Sequence, residues 1–462
     1  MNISTDDTIV ALSTPPGEGG ISIVRLSGAQ ALSLVQQVFS PAQPLPGGIQ
    51  NRRVHYGHIV DGKRSIDEVL LLYLKSPHSY TRQDVVEIQC HGGMVCSSRI
   101  VELLLSRGAR MAHPGEFTRR AVLSGRISIL QAEAVLSLIQ AKTDRAMETA
   151  FEQLSGKTSL DLVRFRDDLL EIITSLEASI DFPDEGISLL SDEALNDRLE
   201  GLQGGIGLII EASRRGSIYR EGLRVAIVGK PNVGKSSLLN LLLGEERAIV
   251  NALPGTTRDA VQEWCDVRGI PVMLIDTAGI RKTDDALEKE GVRRTMECIE
   301  KSDLLIALFD LSTPPTVEDH RIMELLKRSG KPFFCALNKL DREDPVSSPD
   351  FHGFVGTSGT VKFSALDKTG FDAFLDLFER GALEGPVMTR ESYAAATLRQ
   401  MEKLIAVKDA LTLARKALLD RFPHDLLLVD LRRALSLFGE LMGECYDEAM
   451  LDTLFSRFCI GK

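Results

Sequence analysis

Hydrophobic and polar positions along the chain change rhythm from one region to the next. Between residues 8 and 112, short β-rich runs at 21–25, 69–73 and 85–89 alternate with turn clusters at 14–20 and 91–93, which predicts an α+β domain. From about 117 to 215 apolar residues recur three and four apart, notably over 131–141 and 162–180, which predicts long packed helices. At 224–228 the pattern becomes buried apolar strands alternating with helices, as in a parallel α/β sheet, and it ends near Leu383. After Gly385 and Pro386 helical spacing returns over 392–458, with Leu426, Val429, Leu431, Leu435, Leu437 and Phe438 on the apolar positions. Neither helical half has room for a complete core alone. The simplest account is a helical domain built from both sides of an inserted α/β domain.

At 462 residues the chain exceeds what one hydrophobic core usually serves, so a multidomain protein is expected. A net charge of -11 argues against a surface that neutralises nucleic-acid phosphates throughout, while leaving room for a local basic face or a nucleic-acid-binding partner. The seven cysteines form no CxxC pair and are odd in number, so the spacing suggests neither a disulfide framework nor a zinc site and fits a reducing cytoplasm. Residues 1–7 lack a basic segment followed by an apolar run, and no uncharged apolar stretch of 18 residues occurs, so a cytoplasmic protein that does not span a membrane is expected.

Residues 229–236 read Gly-Lys-Pro-Asn-Val-Gly-Lys-Ser, which fits GxxxxGK[ST] between an apolar strand and the helical run 237–243. In such a loop glycines let backbone N–H groups curl around phosphate oxygens; Asn232, Val233, Gly234, Lys235, Ser236 and Ser237 form the candidate cradle. Lys235 supplies a point charge to the outer phosphates and Ser236 a hydroxyl to Mg²⁺. Asp276, Thr277, Ala278 and Gly279 end the apolar strand 272–275, where an Asp reaches Mg²⁺ through water and a glycine N–H meets the γ-phosphate.

Asn338, Lys339, Leu340 and Asp341 follow the strand 333–337. The Asp341 carboxylate can accept from both the ring N–H and the exocyclic amine of guanine, a pair that adenine does not offer. Ser364 and Ala365 supply the segment whose backbone N–H suits the guanine carbonyl. These elements, each at a strand's C-terminal end and in this order, identify GTP as the nucleotide. Thr256 and Thr257 lie between the phosphate loop and Asp276, where a switch segment contributes a hydroxyl to Mg²⁺. Position 280 is Ile, so the glutamine that orients water in Ras-like proteins is missing; Asp284, Asp285, Glu288 and Glu290 are acidic candidates downstream.

With these motifs in place the chain resembles the MnmE (TrmE) family of tRNA modification GTPases over nearly its full length. The stretches that carry the resemblance are 14–17 with Gly19 and Gly20, 77–81, 91–93, 114–117, 131–134, 181–184, the GTPase motifs and the terminal Phe458, Cys459, Ile460, Gly461 and Lys462. The resemblance implies an N-terminal tetrahydrofolate-binding-like α+β domain at 1–118, an α-helical domain at 119–216 and 384–462, and an inserted α/β P-loop (Ras-like) GTPase domain at 217–383.

It further implies a homodimer, a partner in the FAD-containing protein MnmG (GidA), and tRNA held largely through that partner. The pair would add an aminomethyl or carboxymethylaminomethyl group at carbon 5 of the wobble uridine of certain tRNAs. A tetrahydrofolate derivative, 5-formyl- or methylene-tetrahydrofolate, would bind at Arg25, Glu87, Arg126 and Lys462. A carboxylate suits the donor-rich edge of a pterin, and Arg and Lys suit glutamyl carboxylates. Arg126 stands where the family has Lys, and Ser128 where it has Asp. Carried over by motif, Glu288 is the acid that positions the catalytic water, Ser236 and Thr257 hold Mg²⁺, and Asn232 gives a side-chain oxygen to K⁺, with Asn251, Leu253 and Thr256 in the cage.

Cys459 is open between a reactive thiolate and a buried small hydrophobe, with burial the commoner state for cysteine. His91 reads as structural rather than as a general base. The competing class is a ribosome- or RNA-associated GTPase switch without folate chemistry.

Overall fold

The computed structural model describes residues 6–181, 191–245, 248–249, 264–275, 296–342, 351, 353–383, 397–444 and 448–462. The chain folds as two compact units, Met1–Leu136 with Leu154–Leu189 and Phe422–Lys462, and Ser137–Gln153 with Leu190–Arg421.

In the first unit the strand signals develop into one seven-stranded sheet. Its order is Phe39–Pro41, Val54–Asp61, Arg64–Leu74, Val85–His91, Ile21–Ser27, Ile9–Leu12 and Arg110–Met111. Neighbours run antiparallel except the last pair, which is parallel. Period-two alternation sends Val24 and Leu26, and Val86 and Ile88 beside them, onto one face, where they close a core with Ile100 and Leu104 of the helix Met94–Ser106. The opposite face carries Arg25 and Glu87, which stand directly across from one another in the antiparallel register. Helices Lys157–Asp181 and His424–Met442 pack together, joined at the rim by an Arg432–Glu177 ion pair of 2.7 Å. The helix Glu448–Phe455 lies on the helix Glu116–Leu123, with Leu451, Phe455 and Phe458 packed on Ile129 and Ala132.

The second unit contains the parallel sheet that the apolar runs predict. Its order is Thr360–Lys362, Phe333–Asn338, Leu304–Asp310, Leu223–Val228, Ile270–Ile275, Trp264–Val267 and Ala248–Ile249, with only the last two junctions antiparallel. All six residues of Phe333–Asn338 and the first six of Leu304–Asp310 are buried, as a strand covered on both faces requires. The helix Asp192–Glu221 packs along Leu398–Leu419 and runs into the first central strand through Gly222. Gly222 has φ 79°, and a β-carbon there would lie 2.4 Å from the Pro271 carbonyl oxygen, so the junction needs glycine. Among the described residues no helix is long and apolar enough to cross a membrane.

The helix Glu116–Leu123 is anchored by charge. Glu116, its first residue, has a fully buried carboxylate that accepts from Arg110 at 2.6 and 3.0 Å, from Arg120 at 3.0 Å and from the His113 N–H at 2.9 Å. Arg120, itself 2 % exposed, also pairs with Asp7. Burial pushes both carboxyls up, but the arginine bonds outweigh it and hold Asp7 and Glu116 below the ordinary carboxylate range. Depressed folded values mean that this stabilisation is complete above the unfolded values of about 3.9 and 4.3 and is lost as pH falls through the lower folded values. Arg120→Ala leaves Glu116 buried with less compensation and is expected to cost about 3–5 kcal/mol in urea denaturation of the N-terminal sheet followed by hydrogen exchange. Acidification below about pH 4 should shrink the difference between wild type and variant. An unchanged denaturation midpoint at neutral pH would show that the pair contributes nothing.

Candidate functional site

The phosphate-loop residues lie where the central strand Leu223–Val228 gives way to the helix Lys235–Glu245. Asn232 takes φ 65°, a left-handed conformation that asparagine tolerates, and Gly234 takes φ 102°. A β-carbon on Gly234 would sit 2.1 Å from Asn338 Nδ2, so glycine is required for close approach as well as for conformation. Val233 is buried and fixes the loop to the sheet core, while Asn232, Ser236 and Ser237 are exposed at its mouth. The first-turn N–H groups of the helix have no carbonyl within the helix to bind, so this end suits an anion. Lys235 Nζ donates to the carbonyls of Gly229 at 2.7 Å and Lys230 at 2.8 Å, curled over its own loop. Burial lowers its ammonium below the ordinary value, with attraction from Glu318 opposing. Lys230 is held by Asp319 at 2.8 Å at the start of the helix Val317–Ser329.

The candidate base-reading residues converge on the same end of the sheet. Asn338 is buried and donates from Nδ2 to the Val233 carbonyl at 2.8 Å, while its Oδ1 accepts from the Ala365 N–H at 2.9 Å. Asp341 lies in the short 3₁₀ turn Leu340–Arg342 and accepts from the Ser364 hydroxyl at 2.7 Å on Oδ1. Ser364 in turn accepts from the Leu366 N–H at 3.2 Å, so the hydroxyl that orients Asp341 is itself fixed. Lys339, at φ 70°, reaches back to Asp310 Oδ2 at 2.6 Å.

The structure therefore gathers Asn232, Val233, Gly234, Lys235, Ser236, Ser237, Asn338, Lys339, Asp341, Ser364 and Ala365 around the C-terminal ends of the central strands. The exposed Ser236 hydroxyl is a hard oxygen suited to Mg²⁺, and the exposed Asn232 amide suits a larger monovalent cation. Asn251, Leu253, Thr256, Thr257, Asp276, Thr277, Ala278, Gly279 and Glu288 lie outside the described residues.

A second constellation belongs to the N-terminal sheet. Arg25 Nε donates to Glu87 Oε1 at 2.9 Å and Arg25 Nη2 lies 2.8 Å from the same oxygen, leaving Oε2 outside this pairing. Arg25 Nη1 also donates to the Gly461 carbonyl at 3.2 Å, and the Lys462 carbonyl accepts from the Phe117 N–H at 3.1 Å. Gly461 has φ 96°, and a β-carbon there would come 2.3 Å from the Leu12 carbonyl oxygen, so glycine allows residues 461 and 462 to reach the sheet. Burial, reinforced by the Arg25 charge, holds the Lys462 ammonium below its ordinary value, while Glu87 opposes the shift. Arg25, Glu87 and Lys462 thus share one electrostatic neighbourhood. Arg126 instead lies over the Tyr80 ring, 4.7 Å from its centroid. Tyr80 packs against the cluster that contains Phe117, over which Arg25 sits at 5.7 Å. Cys459 is exposed rather than buried.

Sequence reasoning passed over Asp310, whose carboxylate also accepts from Ser312 at 2.5 and 3.0 Å. Burial raises its pKa, but the Lys339 and Ser312 bonds prevail and hold it low. Its signal was present: an acid ending a fully apolar strand, at the same sheet edge as the other motifs. Tyr80 and Phe117 fell inside family stretches without an assigned role, since a single aromatic ring carries no spacing pattern that ties it to a site.

Comparison with known proteins places the chain in a family. The MnmE helical domain family matches residues 129–459, and the family described as GTP-binding protein TrmE N-terminus matches residues 8–126. The chain is 43% identical over 460 residues to the tRNA modification GTPase MnmE of Alkaliphilus metalliredigens, covering 99% of each protein. It is 42% identical over 458 residues to the protein of the same name from Clostridioides difficile, again covering 99% of each. Among solved structures, the Era protein of Aquifex aeolicus bound to GDP and AlF4- aligns at 27% identity over 41% of this chain and 67% of that one, with a TM-score of 0.27. That alignment leaves more than half of this chain uncovered, so the identification rests on the end-to-end relatives. With both flanking regions matched and the alignments complete, this chain belongs to the MnmE family of tRNA modification GTPases.

Proposed function

We propose that GTP hydrolysis by this tRNA modification GTPase serves a one-carbon transfer to carbon 5 of the wobble uridine, with a tetrahydrofolate derivative bound beside Arg25, Glu87 and Lys462. The partner is the FAD-containing MnmG (GidA), which carries the flavin and most of the tRNA contact, and the protein works as a cytoplasmic homodimer. The observation that supports this reading is the Arg25–Glu87 pair with Lys462 beside it, on a sheet separate in sequence from the nucleotide motifs. Two cations and one carboxylate with an oxygen outside the arginine pairing match a ligand that has glutamyl carboxylates at one end and pterin N–H donors at the other.

At the nucleotide, backbone N–H groups of residues 232–237 receive the phosphates, and Lys235 leaves its loop carbonyls for the outer phosphate oxygens. Ser236 and Thr257 would hold Mg²⁺, whose charge would offset that of the phosphates. Asn232, with Asn251, Leu253 and Thr256, would hold K⁺, which would supply the positive charge that an arginine finger supplies in other GTPases. Glu288 orients the attacking water in place of the glutamine absent at Ile280. Asp341, fixed by Ser364, accepts two hydrogen bonds from guanine.

Asp341→Asn should weaken GTP roughly ten- to hundredfold, the loss of about 1.5–3 kcal/mol for a charge-assisted contact, while xanthosine triphosphate binding improves. Unchanged GTP preference in a nucleotide competition assay would remove Asp341 from base reading. For the chemical step, wild-type turnover at constant ionic strength should be faster in K⁺ than in Na⁺. Glu288→Ala should abolish it in either salt with nucleotide affinity near normal; equal rates in the two salts would eliminate the K⁺ role, and surviving turnover the Glu288 role.

Glu87→Ala tests the folate reading. Folate affinity should fall roughly ten- to hundredfold, again from about 1.5–3 kcal/mol, while GTP binding and basal hydrolysis stay near wild type. Mass spectrometry of tRNA nucleosides from a complemented deletion strain should show loss of the wobble-uridine modification. Normal modification despite lost folate binding would refute a direct folate role.

A further inference from the structure

The His91-Gly92-Gly93 turn takes no part in the nucleotide or folate chemistry, yet its backbone is tightly fixed. A β-carbon on Gly92 would lie 1.8 Å from the Gly19 carbonyl oxygen, and the Gly92 N–H donates to the Gly20 carbonyl at 3.2 Å. Gly93, at φ 128°, caps the helix Met94–Ser106. This turn joins Cys90, on the core face of the strand Val85–His91, to Cys96 in the first turn of that helix. Asp67, from the adjoining strand Arg64–Leu74, completes the group.

One carboxylate oxygen of Asp67 and the two sulfurs lie within 4.8 Å of one another. Asp67 Oδ2 accepts from Cys96 Sγ at 3.0 Å and from the His91 N–H at 2.7 Å, while Oδ1 contacts His91 Nδ1 at 2.7 Å. Cys90 is 3 % exposed, the Asp67 side chain 11 % and the His91 side chain 69 %, so the group runs from the core outward to solvent. Ligand atoms around a tetrahedral zinc ion stand roughly 3.5–3.8 Å apart, given Zn–S of about 2.3 Å and Zn–O of about 2.0–2.2 Å. The three atoms, all within 4.8 Å of one another and with Cys96 Sγ and Asp67 Oδ2 3.0 Å apart, bracket that spacing.

We propose that Asp67, Cys90 and Cys96 form a binding site for a borderline-soft divalent cation of the zinc class, with His91 orienting the carboxylate from outside. Two sulfurs select against Mg²⁺ and Ca²⁺, which take oxygen ligands. On binding, both thiol protons leave for solvent, so two thiolates and one carboxylate carry three negative charges against the ion's two positive ones. Three protein ligands leave a fourth position for water. His91 holds Asp67 as outer-shell partners do in metal sites. The spacing rule that discouraged a zinc reading looked for CxxC pairs, whereas here the third ligand comes from a neighbouring strand.

The test uses full-length protein, reduced and stripped with chelator, without nucleotide. Zn²⁺ titrated against a chromophoric chelator should show one tight equivalent per chain, and Co²⁺ in its place should give sulfur-to-cobalt charge-transfer absorption with tetrahedral d–d bands. Cys96→Ser and Cys90→Ser should each abolish that equivalent and the charge-transfer band, with the circular dichroism of the apo protein and basal GTP hydrolysis unchanged. His91→Ala, on an exposed side chain that leaves the core intact, should weaken Zn²⁺ roughly ten- to hundredfold. Zinc affinity that survives both cysteine variants, or a Co²⁺ spectrum without sulfur charge transfer, would overturn the proposal.

Discussion

Asn338 is buried between two loops that belong to different motifs, and its single amide holds both. The amino group donates to Val233 of the phosphate loop and the oxygen accepts from Ala365 of the loop after the last parallel strand. An amide is suited to this position because it offers a donor and an acceptor on one rigid planar group; a carboxylate could accept from Ala365 but would face the Val233 carbonyl with negative charge. The cost of the arrangement falls on Gly234, where any side chain would meet the same amide. The two loops proposed to cradle the triphosphate and to read the base are thereby tied to one another by a single side chain, the kind of preorganisation that positioning catalysis needs.

The N-terminal sheet meets a different constraint. One face is closed by apolar side chains from the helices Ala31–Gln36 and Met94–Ser106, whereas the other carries charges that must be compensated within the fold. Two solutions occur. Under the helix Glu116–Leu123 both oxygens of a buried carboxylate are engaged, by two arginines and a backbone N–H. At Arg25 and Glu87 the engagement is partial, since the pairing uses only Oε1 and the nearby Lys462 adds a second cation. A carboxylate with both oxygens engaged is a structural anchor; one paired through a single oxygen is the one proposed to meet a ligand. That distinction separates the two clusters although both are built around an Arg–Glu pair.

Periodicity made the fold legible where burial is uniform or strictly alternating. The runs at 224–228 and 333–337 lie within the strands Leu223–Val228 and Phe333–Asn338, and the run at 85–89 lies within Val85–His91. Short edge strands such as Arg110–Met111 and Phe39–Pro41 were not legible, because two or three residues carry no period. The phosphate-loop and base-reading residues were legible because phosphate and guanine chemistry fixes their spacing. Asp310 and Asp67 were not, because each bonds a partner far away in sequence, Lys339 just after the neighbouring strand and Cys96 in a helix. Arg25, Glu87 and Lys462 came from family likeness; no distance in sequence relates residues 25, 87 and 462, and only the antiparallel register sets Arg25 against Glu87.

One strand, Val85–His91, carries chemistry on both of its faces. Alternation turns Glu87 toward Arg25 and turns Cys90, three residues on, toward the core and Cys96. An odd separation along a strand always places two residues on opposite faces, so a ligand at one cannot touch the other directly. What they share is the strand itself. The turn after it is fixed by Gly92 against Gly19, and Gly19 and Gly20 lead directly into Ile21–Ser27, which carries Arg25. The backbone around His91 is therefore in direct contact with the segment entering the strand that holds Arg25 and continuous with the strand that holds Glu87.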